Sequence, residues 1–276
     1  YYFAKFHSWT AGFYSLFISL SGGMLWQYWA EARPYALWIF LTTLQLLLFL
    51  SILRNDDSRP APWRRLAAVH LALSVTAILS LPQILIVSVL LGFYKRKDWK
   101  AYLLPAFIPA GLCLFYYLSA PHYHFWLQFS VEQYIRANIS RDRLYVLLLY
   151  GTILGVYALQ QKVKIFKLPL DGSILAAAPF GVLLAGMIFS ASVTLFVLKA
   201  REMSGESHFP VTEKYFIHLM PAGIVGTVLF SDAIVRAFRK HVWVSIVMAG
   251  GIAALVVPRF FKVMHDILKQ YPHLIS

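Results

Sequence analysis

Three short clusters hold most of the side chains in this chain that could do chemistry. The first is AEARPYALWIF at positions 30–40, where Glu31 and Arg33 stand just ahead of Pro34 and Tyr35. A guanidinium there can grip a phosphate through paired N–H donors, or it can ion-pair with Glu31. The second is TEKYFIHLMPAG at 212–223, with Glu213, Lys214, Tyr215 and His218 ahead of an apolar run. A lysine beside the first N–H groups of a helix makes a receptor for a lipid phosphate. A solvated helix end accounts for the same residues equally well. The third is PHYHFW at 121–126. His122 and His124 are the chain's candidates for a divalent metal or a phosphate group. Two histidines at that spacing share one metal only in an extended segment, no carboxylate adjoins them, and aromatic tracts of this kind more commonly anchor a chain at a membrane surface.

The remaining ionisable residues read as structural. Asp232 lies four residues before Arg236, a spacing that pairs the two on one helix face. His70 falls near the end of an apolar run. Cys113, the single cysteine of the chain, lies inside another such run as a small core residue. One cysteine excludes both a disulfide framework and a cysteine metal site.

The elements that must position these clusters are set by composition. Of 276 residues, 59% are hydrophobic and 13% charged, about half the charged fraction of an ordinary soluble domain. The apolar residues arrive in long uncharged runs, the pattern of membrane-spanning helices. A soluble enzyme, a disordered chain and a secreted disulfide scaffold are excluded. The expected fold is all-α, a polytopic transmembrane helix bundle of about nine spans occupying the whole chain, 1–276. The spans read as 9–26, 36–53, 66–81, 83–94, 101–119, 144–159, 173–198, 215–235 and 242–257. Residues 66–94 are too few for two full crossings at 1.5 Å per residue. Pro82 breaks the run, and two short helices are preferred there over one long tilted helix.

Charge supports that preference. The net charge is +13, and the basic residues cluster in short segments between apolar runs, as topogenic signals do. With two helices in 66–94, the clusters at 54–65, 95–100, 162–167 and 236–240 all fall on the inner side. Such clusters suit anionic headgroups or phosphates; nucleic acid is not an expected partner. The outer face then carries 27–35, the long loop 120–143, the loop 199–214 and the tail after Pro258. Length and polarity concentrate there, so chemistry is expected on that face.

On these residues the chain resembles the polyprenyl-phosphate-sugar-dependent membrane glycosyltransferases of the GT-C fold, among them the bacterial protein mannosyltransferase-like and aminoarabinose transferase-like families. The likeness rests on an apolar span ending in an aromatic segment, followed by EARPYAL at 31–37, and on 212–223, similar to the family's segment opening a late span. Where the family commonly has Arg-Tyr, this chain has Lys214-Tyr215. The resemblance implies a multi-pass protein of the bacterial inner membrane that moves a sugar from a polyprenyl-phosphate donor to an acceptor at the outer face. It implies donor phosphate or lipid contacts from Arg33, Lys214, Tyr215 and His218, with Glu31 and Tyr35 supporting the motif. In the family an acidic residue in the first outer loop, well upstream of this motif, deprotonates the acceptor. Only one span precedes the motif here, so the chain is expected to be part of a longer protein, and none of its residues takes that role. No cofactor is specified beyond the metal option at His122 and His124. Two other readings stay open: a non-catalytic scaffold subunit that binds a partner or lipid, and a transporter or lipid flippase. A transporter should place polar residues opposite one another at mid-membrane, and few are evident.

Overall fold

Uncharged runs with large aliphatic side chains satisfy their backbone groups within one segment by coiling, and the structure follows that rule. The computed structural model describes residues 1–6, 8–20, 35–53, 62–77, 80–119, 217–237 and 242–270. Among them every regular element is a helix and there is no strand. In chain order these are α1 (Tyr2–Phe6), α2 (Trp9–Leu20), α3 (Tyr35–Leu53), α4 (Pro62–Ser74), α5 (Ser80–Tyr94), a 3-10 turn (Arg96–Asp98), α6 (Trp99–Ser119), α7 (Leu219–Ala237) and α8 (Val242–Gln270). Among the described residues two stretches, Tyr35–Leu53 and Arg96–Tyr116, are long and apolar enough to cross a membrane; Trp9–Leu20, Ser80–Tyr94 and Met220–Ala233 are apolar but shorter. The chain divides into two compact units, one of Tyr1–Ala36, Leu148–Gly181 and Gly223–Ser276, the other of Leu37–Leu147 and Val182–Ala222.

In the second unit α5 and α4 both pack on α6. The contact face of α6 is built from small residues: Ala106, Ala110 and Cys113 are buried at intervals of four and three. Its large apolar side chains point away from the unit, with Ile108 68%, Phe115 69% and Tyr116 72% exposed. Pro105 and Pro109 lie inside this helix, each removing one backbone bond. Basic and aromatic residues collect where α5 gives way to α6. Arg96 lies over the Phe93 ring at 5.1 Å and Lys100 over Trp99 at 5.8 Å.

In the first unit α1 folds back on α2. Ser8 N–H donates to the Phe3 carbonyl at 3.0 Å, and Ser8 Oγ accepts the Ala11 N–H at 3.0 Å, an N-cap on the third position of α2. The return is tight at Gly12, where an added Cβ would lie 2.7 Å from Ala4 Cβ and 3.0 Å from Ala4 Cα. Helix α8 also packs on α2.

Three sequence expectations need correction. The interruption in 66–94 is present, but it falls after Ser74 and before Ser80, not at Pro82. Pro82 occupies the first turn of α5, where its missing N–H has no intrahelical partner to lose. The last apolar run does not end in an outer tail after Pro258: α8 continues through Pro258 to Gln270, because the residues beyond keep a helical period. The late run, expected from 215, becomes regular helix at Leu219 after a turn at Ile217 and His218, and Pro221 sits in its first turn. The spans expected at 144–159 and 173–198 lie outside the described residues.

Candidate functional site

A buried polar seam is the most developed candidate site in the second unit. Trp38, Thr42 and Gln45 lie at i, i+4 and i+7 of α3, hence on one face. Opposite them Gln83 projects from α5, and one amide joins all three. The Trp38 Nε1–H donates to Gln83 Oε1 at 3.1 Å. Gln83 Nε2 donates to Thr42 Oγ1 at 3.0 Å and to Gln45 Oε1 at 2.7 Å. Gln83 therefore uses both amide hydrogens and one acceptor site. All four side chains are buried, among Leu, Ile, Val and Phe side chains of the two helices, with Ser80 and Ser88 the further buried polar groups of α5.

The other face of the Trp38 indole connection lies with His218. Its imidazole stacks on the indole with ring centroids 4.5 Å apart and planes 12° from parallel. His218 is 1% exposed and Trp38 2%, so this ring pair is closed to solvent. The turn that opens α7 thus packs on the first turns of α3, across 180 residues of sequence. Further buried polar groups line the same unit. Among the described residues, Gln45 Nε2, Ser80 Oγ, Ser88 Oγ and His70 Nε2 have no hydrogen-bond partner. Ser74 Oγ, by contrast, donates back to the Leu71 carbonyl at 2.7 Å.

A second polar constellation belongs to the first unit. Asp232 on α7 is 1% exposed and accepts the Ser8 hydroxyl at 2.6 Å through Oδ1. Its Oδ2 pairs with Arg236 Nη2 one turn on. The sequence spacing anticipated the Arg236 pair but not Ser8. Ser8 both caps α2 and donates to the carboxylate, so the charge of Asp232 lies at the N-terminal end of α2, where a helix favours an anion.

The sequence-derived site residues divide sharply. His218 is buried against Trp38 and does not form a solvated helix end. Tyr35 is half-buried in the first turn of α3. Glu31, Arg33, His122, His124, Glu213, Lys214 and Tyr215 lie outside the described residues. Among the described residues no group of three or more His, Cys, Asp or Glu is arranged to hold a metal ion. Sequence reasoning missed the seam. Its signal was present: of the few polar residues in the 36–53 run, Thr42 and Gln45 stand one turn apart on the Trp38 face, and polar residues in such runs face a partner helix. No protein-family model, curated protein or solved structure matches the chain.

Proposed function

We propose that the chain is a multi-pass membrane glycosyltransferase component of the GT-C kind, binding a polyprenyl-phosphate sugar donor from the surrounding lipid. The observation that carries this reading is the Trp38–His218 stack. The two segments that resemble the family, 31–37 and 212–223, are distant in sequence, and Trp38, the residue after the first, stacks on His218 within the second in one buried contact. In this reading Arg33, five residues ahead of Trp38, and Lys214, four ahead of His218, receive the donor phosphate. Tyr215 assists them, while His218 and Trp38 fix the positions of the segments. Cationic side chains and helix N–H groups act here by charge-assisted hydrogen bonding. The lipid setting draws support from α6, which hides its small residues and presents its large apolar ones. That inverts a soluble helix and suits contact with acyl chains. The nine-span count and an inner-membrane location belong to the same proposal.

The test is donor retention by the purified protein in native mass spectrometry, with polyprenol of equal chain length as the control for the phosphate. Polyprenyl phosphate should be retained well above polyprenol. Arg33→Ala and Lys214→Ala should each reduce the preference about tenfold, on the scale of one charge-assisted contact. Equal retention of alcohol and phosphate by the wild type would end the proposal.

The seam favours a second reading, a transporter or flippase, because Gln45 and Gln83 meet within an apolar helix pair. In that case Gln83→Leu would abolish transport of a lipid or solute and leave phosphate preference unchanged.

A further inference from the structure

Helix α8 is one continuous helix whose two halves differ in composition. From Val242 to Val257 it carries no charged residue; at 1.5 Å per residue that is about 24 Å, short of a full hydrocarbon core. From Pro258 to Gln270 the composition changes. Arg259, Lys262, Asp266 and Lys269 recur every three or four residues, and Phe260, Phe261, Val263, Met264, Ile267 and Leu268 fill the intervening positions, with His265 at the margin between the two sets. At 100° per residue the charged positions fall in one arc and the apolar positions in the opposite one, as in an interfacial amphipathic helix. Pro258 stands at the junction and lacks the N–H that would bond the Ala254 carbonyl, so the two halves can bend there. On the apolar arc Phe261 is 66% exposed, while Phe260, Met264 and Leu268 are partly covered. Lys262 and Lys269 are exposed on the polar arc.

We infer that the Pro258–Gln270 half of α8 is a surface-lying membrane anchor. Its apolar arc enters the acyl boundary, and Lys262 and Lys269 bind anionic lipid headgroups. The occupant follows from charge and continuity. Three basic residues stand against one acid in thirteen positions, the polarity an anionic surface attracts. The segment also continues directly from an apolar run whose end must meet the headgroup region if it crosses. A second copy of the chain would present the same positive arc and be repelled. This inference rests on the membrane-crossing part of the proposed function.

The test uses spin labels on the full chain in nanodiscs, in a Cys113→Ala background that removes the native thiol. Labels replace Phe261 on the apolar arc, Asp266 on the polar arc, and Phe115 on the outward face of α6 as the control for crossing. Collision with oxygen reports lipid depth, and collision with a water-soluble nickel chelate reports water. With phosphatidylglycerol present, the Phe261→Cys label should favour oxygen and Asp266→Cys the chelate. Lys262→Glu with Lys269→Glu should raise chelate collision at position 261 several-fold in phosphatidylglycerol and leave it unchanged in pure phosphatidylcholine. Equal chelate access at 261 and 266, with position 115 still lipid-facing, overturns the anchor alone. Water at 115 as well overturns the membrane reading beneath it. A label at 261 shielded from both reagents assigns the face to a protein partner, and no response to charge reversal removes the anionic lipid; either result overturns the inference.

Discussion

Replacing Gln83 by Leu is the sharpest perturbation of the second unit, because one amide there serves three partners. Leucine nearly matches glutamine in volume, so packing changes little. The variant removes the bonds to Trp38, Thr42 and Gln45 at 3.1, 3.0 and 2.7 Å. Hydrogen bonds between membrane helices average about 0.6 kcal/mol, with a maximum near 1.7. Three of them sum to about 2 kcal/mol, and the orphaned Trp38 N–H, with no water to turn to, pushes the loss upward. The expected effect is a drop of about 2–4 kcal/mol in unfolding free energy, or at least a roughly 30-fold shift in the folding constant. Reversible SDS titration of the protein in mixed micelles, followed by circular dichroism, measures it. The decisive comparison repeats Gln83→Leu in a Trp38→Phe, Thr42→Val, Gln45→Leu background, where no partner remains and the substitution should cost almost nothing. An equal cost in both backgrounds would refute the seam as the source of the stability, since independent sites add within about 0.5 kcal/mol.

Gly12→Ala should lower the thermal midpoint by an amount equivalent to about 1–3 kcal/mol, because the new methyl group meets Ala4 at 2.7 Å; Ala4→Gly in the same chain should recover part of the loss. Arg236→Ala should destabilise more than Asp232→Asn, since the first leaves a buried carboxylate held, among the described residues, by the Ser8 hydroxyl, while the second removes the charge itself. Thermal unfolding of the two variants gives the order, and the reverse order would contradict the pairing. Ile108→Lys, at an outward position near the middle of Arg96–Tyr116, should impair insertion by about 2.5–3.5 kcal/mol if α6 faces lipid; in water the same change would be harmless. Glycosylation-mapping of insertion separates the two.

Much of the helix inventory was legible because hydrophobic runs and their breakers are local signals. The α3 and α6 runs were found within two residues of their observed ends. The interruption between α4 and α5 is also legible, although the sequence points to Pro82 and the helix in fact ends at Ser74 and resumes at Ser80. A proline is a breaker in a helix interior and a favourable residue in the first turn, and sequence alone does not say which applies until the boundary is known. The C-terminal extension of α8 is not visible as part of a span, because the uncharged run stops at 257 and Pro258 follows it; the amphipathic period after Pro258 carries the contrary signal. The Asp232–Arg236 pair was legible as an i,i+4 spacing. Ser8 was not, since 224 residues separate it from Asp232 and nothing local marks a long-range acceptor. The Trp38–His218 stack was illegible for the same reason.

The seam and the outward face of α6 bear on one another. In a bilayer the lipid tails solvate leucine as well as a neighbouring helix does, so apolar burial alone gives helices little reason to associate. What can hold them is close approach through small residues and hydrogen bonding between polar ones. The second unit has both: Ala106, Ala110 and Cys113 where α6 meets its neighbours, and Gln83 spanning from α5 to α3. In water the same arrangement would be poorly chosen, since it leaves Ile108, Phe115 and Tyr116 on the surface while spending its polar side chains inside. The inward placement of amides and the outward placement of aromatics are thus what the proposed lipid setting would ask of the same helices. A catalytic or transport role for the seam must be built on a contact that already has structural work to do. That is why the background-dependence of Gln83→Leu, rather than loss of activity in Gln83→Leu alone, separates a functional glutamine from a cohesive one.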